Sequence, residues 1–324
     1  MQKKGVEDYI ILEGRDRIGG RILTKKDIDL GATWFQSHHE TLSNLIDELA
    51  IEKFHQYNTG RSIFIYSSMA PAQYFENDPN TPSAYRIGGG STALIKKLAS
   101  YSTNRIKLKH KVNSIDYKDE QIAVGTSQGF FESDKVVIAL PPQLMDGITF
   151  TPKLPNQLQS ALTNTHTWMS NAIKVGIGYS TPFWREKKLS GTIIGHVSPV
   201  IELYDHSNIE DDSYSLMGFM NEGLRDEVPA DRKERVLSYL EKHFGSEARD
   251  YISYQEKDWS IDPYTSYEKL KSIYISPRYG NPVFQEDHFN NRIILSGAET
   301  SPVHGGYMDG AVISGLRAAK LWTA

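Results

Sequence analysis

The stretch that most constrains this chain lies near its end: RIILSGAETSPVHGGYMDGAVISGLRAAKLW, from Arg292 to Trp322. Ile293, Ile294 and Leu295 form a short apolar run that suits a buried strand. Gly297, Gly305 and Gly306 then permit a sharp turn or a close backbone approach. From Tyr307 the spacing predicts a helix, with Met308, Val312, Gly315, Ala319 and Trp322 on one stripe. Small residues line much of it (Gly310, Ala311, Ser314, Gly315, Ala318 and Ala319), so another backbone or a flat ring can pack close. A helix start crowded by glycine offers unpaired N–H groups and a positive dipole end, which together favour negative charge. A helix that only caps a sheet would read the same way.

With 324 residues the chain can bury a large core and hold two domains. Its 36 basic and 40 acidic residues give a net charge of −4, which points to neither nucleic acid nor an anionic membrane. There is no cysteine, which excludes disulfides, thiolate metal sites, a cysteine nucleophile and any cofactor attached through cysteine. The start, MQKKGVEDYIIL, is too short and too charged for a secretory signal, and no apolar run reaches membrane-spanning length. The expectation is a soluble cytoplasmic protein without membrane partners.

Tyr9 to Leu12 reads as an apolar strand ending at Glu13, followed by a basic glycine turn, GRDRIGGR, from Gly14 to Arg21. IDLGATW, residues 28–34, leads into a helix from about Glu40 to Leu49. Residues 60–85 read as loop and short strands. In GGGSTALIKKLAS, Ser91 or Thr92 is placed to cap a helix. Residues 105–118 alternate, with Ile106, Leu108, His110, Val112 and Ser114 on one face. Ser127 to Gly129 suggests a hairpin turn, and Val136 to Leu140 a buried strand stopped by Pro141 and Pro142. From about residue 143 the composition shifts, with a new strand at Ile173 to Tyr179 and a helix from Pro229 to Phe244. The organisation expected is one α/β domain assembled from 1–60, 86–142 and 288–324, and an inserted α+β domain formed by 61–85 and 143–287.

Two candidate residues stand out from the pattern alone. Glu13 ends an apolar strand, where dinucleotide-binding folds hold a ribose through its hydroxyls. Arg15, Gly19, Gly20 and Arg21 beside it would suit a pyrophosphate. Lys174 shares a strand face with Gly176 and Gly178, one ammonium on a bare surface with room for something flat, although a solvent-facing lysine fits as well. The ten histidines show no ligand spacing, so no metal site is expected, and no G-x-S-x-G elbow occurs.

Four blocks, ILEGRDRIGGR, DLGATWF, GGGSTALI and LSGAETSPVHGGYMDGAV, closely resemble the flavin-containing amine oxidase family, in order and across nearly the whole chain. It looks most like compact bacterial members, since only about twenty residues separate Phe64 from Arg86. The resemblance implies an FAD-binding Rossmann-like domain and non-covalent FAD. It also implies a small-molecule amine substrate, with dioxygen reduced to hydrogen peroxide, and says nothing of oligomeric state. By the same resemblance, Glu13 would bind the adenosine ribose, with Gly19, Gly20 and Arg21 near the pyrophosphate. Gly31, Ala32, Thr33 and Trp34 would line the isoalloxazine, and Val112 would meet the adenine through its main chain. Trp259 would pack near the flavin and Glu299 would reach its ribityl or pyrophosphate region. Gly306, Tyr307, Met308 and Asp309 would turn helix N–H groups to the ring edge. Lys174 would bridge through water to flavin N5. Tyr307 would be one wall of an aromatic cage, with Tyr264, Tyr267, Glu268 or Lys269 near the second.

In the family a strand, a G-x-G-x-x-G loop and a helix precede the first of these blocks. Here Met1 stands twelve residues before Glu13, so the expectation is an N-terminally truncated FAD-binding domain whose Ile10 to Leu12 strand lies beside a gap. Three readings follow: an amine oxidase, a non-catalytic homologue with weak or no FAD binding, and another flavin oxidase or desaturase on the same fold.

Overall fold

The computed structural model describes residues 5–78, 81, 84–266 and 278–323. Its helices are α1 (Glu40–Glu48), α2 (Ser91–Ser100), α3 (Asn156–Asn164), α4 (Phe183–Glu186), α5 (Pro229–Phe244) and α6 (Met308–Trp322). Among the described residues no helix is long and apolar enough to cross a membrane.

Two short parallel pairs come from the glycine-flanked strands. Ile11–Leu12 pairs with Ile106–Lys107, and Val136–Ile138 with Ile293–Leu295. Leu12 packs on the same apolar cluster as Ile138, Ile293 and Leu295, so both pairs share one core. Among the described residues Ile11–Leu12 pairs on one side only, and Ile10 and Ile11 remain 44% and 43% exposed. A four-stranded sheet (Gly129–Ser133, Gln121–Thr126, Val112–Lys118, Thr149–Thr151) contributes Ile115, Ile122 and Val124 to that core. Met145, Leu158, Leu162, Val283 and Phe284, from segments the sequence assigns to the inserted domain, pack there too.

The larger sheet has seven strands in the order Tyr251–Asp258, Ile173–Tyr179, Tyr214–Met220, Val200–Asp205, Leu189–Ile194, Arg61–Phe64, Gln73–Glu76. Its apolar face is covered by Val236, Leu237, Leu240 and Phe244 of α5 and by Phe183 and Trp184 of α4. The helix expected over 229–244 forms with those bounds, its proline in the first turn and Gly245 beyond its end.

Four local expectations fail for identifiable reasons. Helix α2 is preceded by Gly90 at φ +76°, and neither Ser91 nor Thr92 acts as its cap. Instead the Asp29 carboxylate accepts the Ser91 N–H at 3.0 Å, while Thr92 and Thr24 exchange bonds of 2.8 and 3.0 Å through their hydroxyls and backbone N–H groups. A side chain from another element supplies the cap that local sequence would assign to the helix itself. Residues 105–118 are not one strand, because Lys109 at φ +60° turns the chain between Ile106–Lys107 and Val112–Lys118.

On α6 the buried side is Met308, Asp309, Gly310, Ser314 and Ala318, not the stripe through Val312, Gly315 and Ala319. Two polar residues turn inward because each finds partners: Asp309 accepts Leu42 N–H at 2.7 Å, and Ser314 Oγ accepts Gly297 N–H at 3.0 Å. A Cβ on Gly310 would come within 2.3 Å of His304 O, so this small residue admits the preceding loop.

Finally, every residue of Ile173–Tyr179 is buried. The space that Gly176 leaves is filled by Ile28, whose Cγ2 lies 2.4 Å from where a Cβ would stand. Gly176→Ala should therefore lower stability by about 1–3 kcal/mol through overpacking. Adding Ile28→Ala, which removes that Cγ2, should recover part of that loss. Urea denaturation of the single and double variants checks this, and equal losses in both backgrounds would exclude the contact.

Candidate active site

Lys174 is fully buried, and its ammonium is completely used. It donates to Asp29 O at 3.0 Å, Gly31 O at 2.9 Å and Thr33 Oγ1 at 2.7 Å. The charge also lies 5.3 Å from the Trp34 ring centroid and 5.0 Å from that of Phe219. Burial pulls its pKa down to about 7, with the Asp29 carboxylate opposing and Arg86 reinforcing the shift. The lysine thus joins the strand Ile173–Tyr179, second in the larger sheet, to the turn that carries Gly31, Ala32, Thr33 and Trp34.

The same turn is held from behind. Trp259, also fully buried, donates Nε1–H to Leu30 O at 2.7 Å. Leu23, Ile28, Leu30, Met169, Met217 and Trp259 form one apolar cluster, against which Trp34 packs. Gly31 has no room for a side chain, since a Cβ would sit 2.1 Å from Arg21 O. Ala32 N–H donates to that same carbonyl at 3.1 Å.

Arg21 forms a two-pronged ion pair with Glu299, one bond being 2.9 Å from Nη2 to Oε2, and donates to Thr167 Oγ1 at 2.6 Å. Glu299 is fully buried. Burial alone would raise its pKa, but the Arg21 guanidinium outweighs that and holds it below the usual carboxylate range. Glu299 therefore braces Arg21.

At α6, Tyr307 occupies the cap position without a side-chain cap bond, behind Gly306 at φ +81°. Its ring is 52% exposed and lies 5.0 Å from that of His39. Met308 is buried among side chains of α1 and α2. Asp309 uses both oxygens, accepting Leu42 N–H and meeting His304 Nδ1 at 2.7 Å. The Tyr279 side chain rests against Gly305 and Gly306, where added Cβ atoms would come within 2.4 Å of its Cβ and 2.5 Å of its ring.

At the other end, Glu13 accepts Arg15 N–H at 2.9 Å and stays partly open. An adjoining cavity of about 460 Å³ is lined by Arg15, Arg17, Lys25 and Lys257 together with Asp16 and Asp262. Gly19 and Gly20, at φ +99° and +55°, form the turn before Arg21. Val112 opens its strand opposite Thr126. Tyr264 packs against Gly14 and beneath Arg15, 5.1 Å from ring to guanidinium, in the wall of this cavity. Tyr267, Glu268 and Lys269, the other candidates for a cage wall, lie outside the described residues.

Sequence reasoning missed three aromatic residues. Tyr204 packs edge-on to Trp34 at 4.9 Å, and Phe219 stands 6.4 Å from Trp34 and 6.1 Å from Trp168. Residue 219 pairs with Lys174 across neighbouring strands, a register that no local pattern records. The structure also brings His304 to the adjacent pair His38 and His39, which lies far from it in the sequence.

The fold defines a class: it is the mixed α/β architecture of amine oxidases. Wild-type putrescine oxidase bound to putrescine superposes with a TM-score of 0.85 at 21% identity, covering 99% of this chain and 95% of that one. The family described as flavin containing amine oxidoreductase matches residues 1–71 and 65–321. This chain belongs to the flavin-containing amine oxidase family. Amine oxidase [flavin-containing] B of Homo sapiens is 32% identical over 242 residues, which cover 72% of this chain and 46% of that protein. Amine oxidase [flavin-containing] A of Equus caballus is 27% identical over 327 residues, covering 91% and 61%. The chain thus spans about half to three-fifths of the length of these curated relatives.

The lowered pKa of Lys174 has a stability consequence. Between about pH 7 and the ordinary lysine value of 10.5, the unfolded chain binds a proton that the folded chain has released. Stability relative to a Lys174→Met variant should therefore rise with pH across that window, by at most about 1.4 kcal/mol per unit. Urea midpoints of both proteins at pH 6, 7.5 and 9 test this, and a constant difference would mean that Lys174 does not titrate there.

Proposed function

We propose that this chain binds FAD non-covalently and oxidises a small amine to an imine, which hydrolyses to an aldehyde or keto product. Dioxygen would be the acceptor. The observation that carries this reading is the buried Lys174 ammonium, fixed on the Asp29–Thr33 turn between Trp34 and Phe219. The chain's membership of the flavin-containing amine oxidase family supports the same reading.

The residues present fit such a cofactor. The Glu13 carboxylate can accept ribose hydroxyls, and Arg21, braced by Glu299, can face a pyrophosphate, with Gly19 and Gly20 leaving the backbone approachable. Val112 would meet the adenine through its main chain. Helix α6 begins without a side-chain cap, so N–H groups of its first turn are available to a carbonyl edge that carries negative charge. Gly31 to Trp34 would flank the ring, with Trp259 fixing their backbone from behind through Leu30. When bound, the flavin supplies the two-electron acceptor and passes its electrons to dioxygen, giving hydrogen peroxide.

The chain's own residues would orient, exclude water and manage protons. Burial brings the Lys174 pKa down to about 7, so the group would release its proton near neutral pH at low cost and could then accept one within the site. Tyr307, with its exposed ring, would aim the amine nitrogen and the carbon beside it. Residues 1–60, 86–142 and 288–324 would form the cofactor unit, and 61–85 with 143–287 the unit that shapes the substrate site.

The test uses the purified chain with added FAD and a panel of primary and secondary amines. Expected are a visible flavin spectrum that stays with the protein, a rise in melting temperature with FAD, and amine-dependent peroxide. Glu13→Gln should weaken FAD binding about tenfold. Lys174→Met should lower kcat by roughly a hundredfold or more. No retained FAD and no peroxide from any amine would overturn the proposal in favour of a non-catalytic homologue.

A further inference from the structure

Three imidazoles meet beside the start of α6. His38 and His39 come from the segment before α1, and His304 from the loop before α6. One nitrogen from each lies within 4.8 Å of the others, and ring centroids are separated by 4.7, 5.2 and 4.6 Å. His39 is buried, His304 partly buried and His38 exposed, so the group reaches solvent on the His38 side.

Its most informative member is His304. Its Nδ1 lies 2.7 Å from Asp309 Oδ2, and Asp309 is itself buried and fixed by the Leu42 N–H on its other oxygen. A carboxylate that can only accept places the proton on Nδ1 and leaves the Nε2 lone pair free. This is the arrangement by which an outer carboxylate sets the tautomer of a metal-ligating histidine and raises its basicity. The geometry is anchored from two helices, since Leu42 belongs to α1 and Asp309 to α6. His39 is held by its own loop, with Nδ1 accepting Gln36 N–H across a long 3.2 Å, a bond that a metal ion would compete with.

We propose that His38, His39 and His304 bind one divalent transition-metal ion, with zinc the first candidate and Asp309 as the outer carboxylate. An all-imidazole donor set selects zinc, nickel or copper, and it excludes calcium and magnesium, which require oxygen ligands. Three histidines with one open side match a four-coordinate ion that keeps a water. Zinc–nitrogen bonds of about 2.0–2.1 Å bring ligand atoms to roughly 3.4 Å from one another, so the rings must close in. Exposed His38 is the ring with the freedom to do so.

The experiment is zinc titration of tag-free, chelator-dialysed full-length chain, followed by calorimetry and by competition with a chromogenic chelator. Cobalt(II) serves as the spectroscopic probe. The expected result is one ion per chain and intense visible cobalt bands of a four-coordinate site. His38→Gln and His304→Gln should each weaken zinc binding at least about tenfold, and Asp309→Asn by roughly tenfold to a hundredfold. His38 is on the surface, so its variant tests the site even where His304→Gln folds poorly. No stoichiometric binding, or binding unchanged in His38→Gln, overturns the proposal. These readouts involve no amine turnover and do not depend on the oxidase reading.

Discussion

The interaction on which the rest of the site depends is the buried ammonium of Lys174. A charge taken fully out of water costs several kcal/mol unless its surroundings replace the lost solvation. Here three oxygens and two aromatic faces replace it. The acceptors all lie within one turn, so satisfying the lysine also fixes the backbone from Asp29 to Thr33. The neighbouring groups form a buried set with it. Burial pushes the Asp29 carboxyl up, brings Arg86 down to about 10 and holds His206 well below its ordinary value. His206 Nε2 accepts Asp29 N–H at 3.0 Å, as a neutral imidazole can. Such a network contributes positional specificity more than net stability, because an apolar replacement of equal shape would avoid the desolvation cost.

Through Asp29 this constraint reaches α2, whose first turn it caps, and through Leu30 it reaches Trp259. A second tie, Arg21 to Glu299, joins the beginning of the chain to its final strand–turn–helix and includes Thr167 from between them. The two ties meet at Gly31, which packs directly on the Arg21 carbonyl. A loop that would otherwise be free is thereby pinned at both ends and in the middle. That is the preorganisation a site needs if it is to hold a flat ring in one orientation.

Much of this was legible in the sequence, and the losses have a common cause. Strands at Val136 and Ile293, the hairpin turn near Gly129, and the helices at 40, 91, 229 and 308 all follow from local pattern. The glycine blocks carry the family resemblance because close backbone approach leaves a mark in residue type. What local pattern cannot show is which distant group satisfies a polar residue. Asp309 and Ser314 turn the helix away from its apolar stripe because Leu42 and Gly297 are waiting for them. Gly176 suggests an open surface until Ile28 is placed in it. Phe219 reaches Lys174 only through strand register. His39 and His304 stand near opposite ends of the chain and meet only because α1 packs on α6.

The start of α6 shows how one element can carry two kinds of charge. Its dipole favours a negative group at the unpaired N–H end and opposes a cation there by a comparable amount, about 0.3–1 kcal/mol for a partly exposed site. A divalent ion held by the three imidazoles beside that end would be an unfavourable neighbour if nothing intervened. Asp309 intervenes: its carboxylate is buried in the first turn and meets His304 directly, so it offsets the dipole on the histidine side. Tyr307 stands at the cap position, with its ring against His39. The first-turn N–H groups keep their preference for an anionic edge, while the side chains beyond Asp309 face a locally negative group. One carboxylate therefore separates the two electrostatic environments, and its second bond to Leu42 is what keeps it in place to do so.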